Sequence, residues 1–391
     1  MILTAFVFLI ILTVLVLIHE AGHYFVAKYF GIKVEEFGFG LPPRAFGFKR
    51  GETIYSVNWL PIGGFVKLYG EDAAGGGEFK VQNSKFKVKD ETKAFYAKSV
   101  WQRAAVVVAG VVMNAILAAL LFYIFLGISG FTTQLPLLGN HKFFFVDQKN
   151  VSDIIVGSVA KDSPAEKAGI KTFNKITALN GQKILDAQSF VEIINKNKGK
   201  EISIAWHEAK TNKNFVSTVI PRVSPPKNQG ALGVSFSAMQ TAVLTYKTIP
   251  QKLFSGFTHP VNLLLYNFDV MGKLIGFSIK EKTAAPLSGS VSGPVGIYSV
   301  VGNIVQIPDM KERILQVVNL AGVLSISLAF FNVLPIPALD GGRLFFILIE
   351  AVVGKKVPQK FESYVHTTGM IVLLALLALI TFQDIGRLIR P

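Results

Sequence analysis

Four stretches of the chain, 2–24, 104–128, 316–339 and 367–383, are apolar for close to the roughly twenty residues that a helix needs to cross a bilayer. The last is the shortest and is expected to stand with little tilt. Residues 31–70 switch to short runs broken by Gly, Pro and aromatics. In them "TIYSVNWL" and "GFVKLYG" favour strands, with Pro61 and Gly63-Gly64 as the turn between, so a β-hairpin close to the membrane is predicted. Lipid cannot satisfy a strand edge, so such a hairpin must be buried in protein or line a wet cavity. Residues 71–98 are polar and Lys-rich and read as a loop, whereas 142–236 alternate β-branched runs with polar turns around one amphipathic stretch, "DAQSFVEIINKN". That block predicts a small α+β domain inserted between the second and third spans. From 241 to 283 the amphipathic, aromatic pattern is expected at the membrane surface, with a fifth span as the alternative. The predicted fold is a polytopic α-helical membrane protein with four transmembrane helices and one inserted domain.

Composition agrees with the pattern. Of 391 residues 51% are hydrophobic and 17% charged, and a mean hydropathy of +0.45 is too high for an ordinary soluble chain. The first window resembles a signal peptide in position. It lacks a basic start and is followed by no small-residue cleavage site, so its retention is expected. The net charge of +15 comes from lysines spread through polar loops, which suits anionic lipid head groups rather than nucleic acid. Zero cysteines exclude disulfides, thiolate metal sites and a cysteine nucleophile.

The first apolar window ends in "VLIHEAGHYF". His19, Glu20 and His23 form H-E-x-x-H, and on a helix positions i and i+4 share a face, so both imidazoles can address one ion. Each ionisable group at the bilayer centre costs about 2.5–3.5 kcal/mol on the insertion scale. Bound Zn²⁺ accounts for the cluster, because apparent affinities of structural zinc sites run to roughly 10–16 kcal/mol. A catalytic zinc needs a third protein ligand and an open fourth position. The candidate is Asp340 in "FFNVLPIPALDGGRL", where Pro335 and Pro337 interrupt the helix and let a carboxylate turn inward; the alternative is an interfacial residue at a helix end. Glu20 points off the ligand face, as a base acting on water should. Asn114 in the second window reads equally as interhelical packing or as a cavity-facing residue. His141, His207, His259 and His366 read as packed or solvated. No Ser stands in a nucleophile motif.

H-E-x-x-H in the first span, "NVLPIPALDGG" in the third and a domain between them make the chain resemble the site-2 protease family, in particular the bacterial regulator-of-sigma-E type of intramembrane zinc metalloprotease. The resemblance implies zinc held by His19, His23 and Asp340, with Glu20 as acid and base. It implies substrate contacts at Asn332 and in "PIGGFVK", through Gly63, Gly64 and Phe65, on a membrane-reentrant β-hairpin that adds a strand to the substrate. "SGPVGIYSVV" at 292–301 also matches a family segment, and "VAKDSPAEKAGI" and "GALGV" make 142–236 similar to a PDZ domain, with peptide C-termini as possible ligands. Two departures are Phe173-Asn174-Lys175, where Gly-Asp is usual, and Val111, where Pro is common.

The layout so implied is a first transmembrane helix (1–30), the reentrant hairpin (31–70), a cytosolic loop (71–98), a second helix (99–130), the PDZ domain (142–236), a membrane-surface region (237–315), a third helix carrying Asp340 (316–343), a cytosolic loop (344–366), and a fourth helix and tail (367–391). The expected location is the bacterial cytoplasmic (inner) membrane, with the PDZ domain and both termini outside. Lys355, Lys356 and Lys360 support that orientation and Arg387 and Arg390 oppose it. Substrates implied are single-span proteins already trimmed outside, such as anti-sigma factors, and remnant signal peptides. Competing readings are a non-catalytic PDZ scaffold, against which the intact Glu20 counts, and a metal transporter, which would need further polar residues through the spans.

Overall fold

Among the described residues of the computed structural model, four helices are long and apolar enough to cross a membrane. The structure describes residues 2–71, 91–184, 187–208, 213–283 and 290–389, so most of the expected 71–98 loop lies outside the described residues. The chain divides into two compact units, Met1–Ile128 with Phe254–Pro391, and Ser129–Leu253.

In the first unit, α1 (Ile2–Tyr29) is 28 residues and so about 42 Å long. Its buried positions Ile11, Leu15, His19 and Gly22 recur at helical spacing and form one stripe against α2 (Val100–Ile128). A side chain at Gly22 would run into the carbonyl of Ala109, so the two backbones approach as small-residue membrane helices do. The third span, α7 (Met310–Val333), begins and ends earlier than the 316–339 window. Ser325 Oγ donates to the Asn114 carbonyl at 2.8 Å and joins α7 to α2.

Residues 334–339 leave the helix, because Pro335 and Pro337 bring no N–H. The chain then re-enters a helix, α8 (Asp340–Val353), so Asp340 opens a new helix and does not close the third span. The stretch 344–366, expected as a loop, is therefore helical for most of its length, through α8 and the start of α9 (Gln359–Ile389). A buried ion pair, Arg103 Nη2 to Glu350 Oε1 at 2.5 Å, fixes α8 to the start of α2.

The hairpin differs from expectation in its pairing. Strands β1 (Val34–Arg50) and β2 (Thr53–Leu68) turn at Gly51-Glu52, and Gly63-Gly64 is a bend inside β2. Phe37 faces both Tyr55 and Val66, so the segment 34–39 lies between the two runs that the sequence appeared to pair with each other. The reason is the long first arm, whose Gly- and Pro-rich composition hides a strand. Tyr24 Oη meets Tyr55 Oη at 2.7 Å and anchors the sheet on α1.

Residues 241–245 finish a strand, and α5 (Ile249–Glu281) is one 33-residue helix that meets α2 where His259 contacts Phe122 and α7 where Phe268 contacts Phe330. The segment 292–301 opens α6 (Pro294–Val305), with Pro294 in its first turn.

The second unit is a mixed domain with a seven-stranded antiparallel sheet in the order β3-β9-β4-β5-β7-β8, and β6 beside β5. Its strands are β3 (Thr132–Leu137), β4 (Asp147–Val159), β5 (Lys175–Leu179), β6 (Gln182–Lys183), β7 (Ile202–Glu208), β8 (Lys213–Val219) and β9 (Val234–Thr245). Alternate residues Ile202, Ile204 and Trp206 of β7 turn into a core with Ile154, Val156 and Phe190, the last from α4 (Ala187–Lys196). Ser163 caps the short α3 (Pro164–Lys167) by accepting from Glu166 N. The sheet reaches beyond the expected 142–236 at both ends, because β3 and β9 pair with each other.

Candidate metal centre

Helix α1 places His19 and His23 one turn apart with their Nε2 atoms 3.2 Å from each other. Asp340, at the first turn of α8, brings Oδ2 to 2.9 Å from His19 Nε2 and 3.3 Å from His23 Nε2. Among the described residues this is the one group of three His, Asp or Glu whose ligand atoms converge.

The other ring nitrogens set the proton arrangement. His23 Nδ1 lies 2.8 Å from the Val106 carbonyl, which can only accept. Nδ1 therefore carries the proton, and the Nε2 lone pair points into the cluster. His19 Nδ1 faces the Asn114 amide at 3.2 Å. The amide nitrogen is turned toward His19 and Asn114 Oδ1 has no partner among the described residues; turning the amide over gives Oδ1 the His19 N–H and the same tautomer, the two ends being interchangeable by shape. Asn114 is wholly buried and takes the interhelical packing role, its side chain against His19 of α1 and its backbone carbonyl accepting from Ser325 of α7.

In this arrangement a carboxylate oxygen and two imidazole lone pairs face one another in a buried site, and Asp340 Oδ2 has no hydrogen-bond donor among the described residues. Three acceptors so close repel unless a cation lies among them. Ligand atoms about 2.0–2.2 Å from a tetrahedral zinc stand about 3.3 Å apart, close to the separations found here. The donor set therefore fits zinc. It also needs the absence of a side chain at Gly110, where a Cβ would come within 2.5 Å of His23 Nε2 and 2.7 Å of His19 Cε1.

Glu20 lines the same cavity of about 170 Å³ as the three ligand candidates, together with Phe65, Val66 and Leu68 of β2. Gly64 lies against Glu20, where a Cβ would stand 3.5 Å from Glu20 Cγ. Gly63 and Asn332 are not among the residues lining this cavity; Asn332 is buried on the last turn of α7. Sequence reasoning overlooked Glu71 and Arg343, which form an ion pair at the cavity wall. Glu71 also accepts from Leu68 N at 3.1 Å, so the pair ties the end of β2 to the helix that begins with Asp340. Their signal was their placement, a Glu just after the predicted hairpin and an Arg one turn beyond the candidate ligand.

We predict that Gly110→Ala lowers zinc affinity by roughly tenfold or more, in the range seen when metal-orienting contacts are lost, while helix content is unchanged. Zinc competition with a chromophoric chelator, alongside circular dichroism, measures this.

The model of Peptidase family M50 matches residues 7–376. A protein of Clostridium acetobutylicum, named as a zinc metalloprotease by inference, is 31% identical, covering 95% of this chain and 94% of its own. The regulator of sigma-W protease RasP of Bacillus subtilis is 28% identical over 98% of this chain and 99% of its own. The PDZ domain of an SdrC-like protein from Listeria innocua is 25% identical over 22% of this chain and 92% of its own, at a TM-score of 0.19. Matched along nearly its whole length, and with a zinc-compatible cluster set on apolar helices, the chain belongs to peptidase family M50 and is a membrane-embedded metalloprotease of the site-2 type.

Proposed function

We propose that the chain hydrolyses peptide bonds within the transmembrane segments of single-span membrane proteins, with zinc held by His19, His23 and Asp340 and with Glu20 as the acid and base. The observation that carries this reading is the triangle of 2.9, 3.2 and 3.3 Å among the three ligand atoms, on a cavity that Glu20 shares. Zinc, when bound, supplies Lewis acidity toward a peptide carbonyl and makes water easier to deprotonate. Glu20 follows His19 by one residue, so its carboxylate leaves α1 about 100° round from the ligand face. From there it takes the proton of the attacking water and returns it to the leaving amine nitrogen.

A substrate must be extended to be cut, and β2 supports that step. Among the described residues the run Gly64–Leu68 pairs on one side only, with β1, and its Phe65, Val66 and Leu68 line the cavity. An unwound substrate segment adds to that edge as a further strand, which satisfies its backbone as the hairpin enters the membrane. Of the substrate-binding residues expected from the sequence, Gly64 and Phe65 have this placement.

The inserted domain is read as a PDZ domain on the extracytoplasmic side of a bacterial cytoplasmic membrane. There it excludes substrates whose ectodomains are uncut, so that anti-sigma factors and remnant signal peptides enter after trimming. The residues 159–170 that suggest this comprise the end of β4 and α3.

In membranes holding a tagged single-span substrate with a trimmed ectodomain, wild type is expected to release a fragment cut within the span. Glu20→Gln, which keeps shape and ligands, is expected to lose at least about a hundredfold in rate. Equal cleavage by the variant, read by gel and mass spectrometry, contradicts the assignment of Glu20. Deleting 142–236 is expected to admit full-length substrates; a variant that still cuts trimmed substrate and still rejects full-length substrate removes the filter from the account.

A further inference from the structure

Helix α9 has an unusual pattern of burial. Its apolar residues, among them Ile371, Val372, Leu374 and Leu376, are exposed as on a lipid-facing helix, while its buried described residues are Glu362, His366 and Asp384. A lipid-facing helix gains little by burying polar groups unless they hold something in place. Asp384 does so visibly: Oδ2 accepts from Gly293 N and Gly296 N, both at 2.8 Å, and caps α6.

His366 holds the segment between α7 and α8. Pro335 and Pro337 leave four backbone N–H groups in residues 334–339. Leu334 donates to Phe331 O, Ile336 to Leu334 O and Leu339 to Ile336 O, all within the local turn. Ala338 is the exception, donating across to His366 Nδ1 at 2.9 Å. Ala338 also has φ +73°, a left-handed conformation that a residue with a Cβ seldom holds without outside restraint. One turn further along α9, Gly369 lets its backbone touch Pro337, whose carbonyl oxygen would be 2.9 Å from any Cβ there. His366 and Gly369 thus form a seat for the turn that ends, two residues on, at Asp340.

The bond also defines the imidazole. Accepting at Nδ1 puts the ring proton on Nε2, which has no hydrogen-bond partner among the described residues and lies 4.0 Å from Glu362 Oε1. A buried histidine that satisfies one nitrogen and leaves the other unsatisfied is placed for the bond it makes.

We propose that His366 is a positioning residue of the metal centre: by accepting the Ala338 N–H it fixes the turn that presents Asp340, so the last span sets zinc affinity without supplying a ligand. This rests on the reading of Asp340 as a ligand. The geometry of the bond gives a discriminating pair of variants. Asn at 366 can place Oδ1 where Nδ1 stands, whereas Gln places its polar atoms further out and Leu has none.

Full-length protein in nanodiscs, loaded with zinc, is mixed with excess EDTA, and zinc loss is followed over time beside kcat and KM. His366→Gln and His366→Leu are expected to release zinc roughly tenfold faster, with kcat lowered more than KM is raised, and His366→Asn to stay near wild type. Zinc release by His366→Gln as slow as in wild type, or by His366→Asn as fast as by His366→Leu, overturns the proposal. If the Leu variant loses helix content, the comparison of Asn with Gln decides. Asp340→Ala is measured in parallel, and if it retains zinc as wild type does, the ligand reading itself fails, whatever the His366 variants show.

Discussion

Inside hydrocarbon a lone pair has no water to meet, and the site brings together three that face one another on His19, His23 and Asp340. A cation at their centre would reconcile the burial with the mutual repulsion, and much of the surrounding structure suits that arrangement. The Val106 carbonyl and the Asn114 amide hold the outer ring nitrogens, and Gly110 removes the side chain that would displace the rings. The close approach of α1 and α2 at Gly22 brings both helices near enough for these contacts.

The same constraint shapes how the carboxylate arrives. A continuous helix through 334–339 would have no free turn in which to bend Asp340 toward α1. Two prolines break it, and a new helix then begins at Asp340 itself. Breaking a helix exposes backbone groups, and these are met by local turns and by α9 through His366. The Arg343 and Glu71 pair then ties this second helix to the strand that lines the cavity, so Asp340, Glu20 and the strand run 64–68 share one frame.

The convergence of His19, His23 and Asp340 was legible in the sequence because ionisable residues are scarce in apolar runs. His19 and His23 are one helical turn apart, and Asp340 follows a pair of prolines that could only break a helix. The four spans were legible by hydropathy alone, although α7 ends six residues before the apolar window does. What failed was pairing at a distance. Gly63-Gly64 has the composition of a turn, yet it bends a strand whose two halves both pair with 34–39, a relation that local pattern does not encode. β3 was missed for the same reason, since it is a strand by virtue of the far end of β9, which also pairs with β4. His366 carries no local mark of its role, because its partner is a backbone N–H 28 residues away.

The central claim is the identity of the three ligands. X-ray absorption at the zinc edge on the purified wild-type protein tests it most directly, because imidazole nitrogen and carboxylate oxygen scatter distinguishably through their outer shells. The account predicts two imidazoles and one or two oxygens at about 2.0–2.2 Å, with the carboxylate contribution lost in Asp340→Ala. A spectrum with three imidazoles, or one unchanged by that substitution, would contradict it.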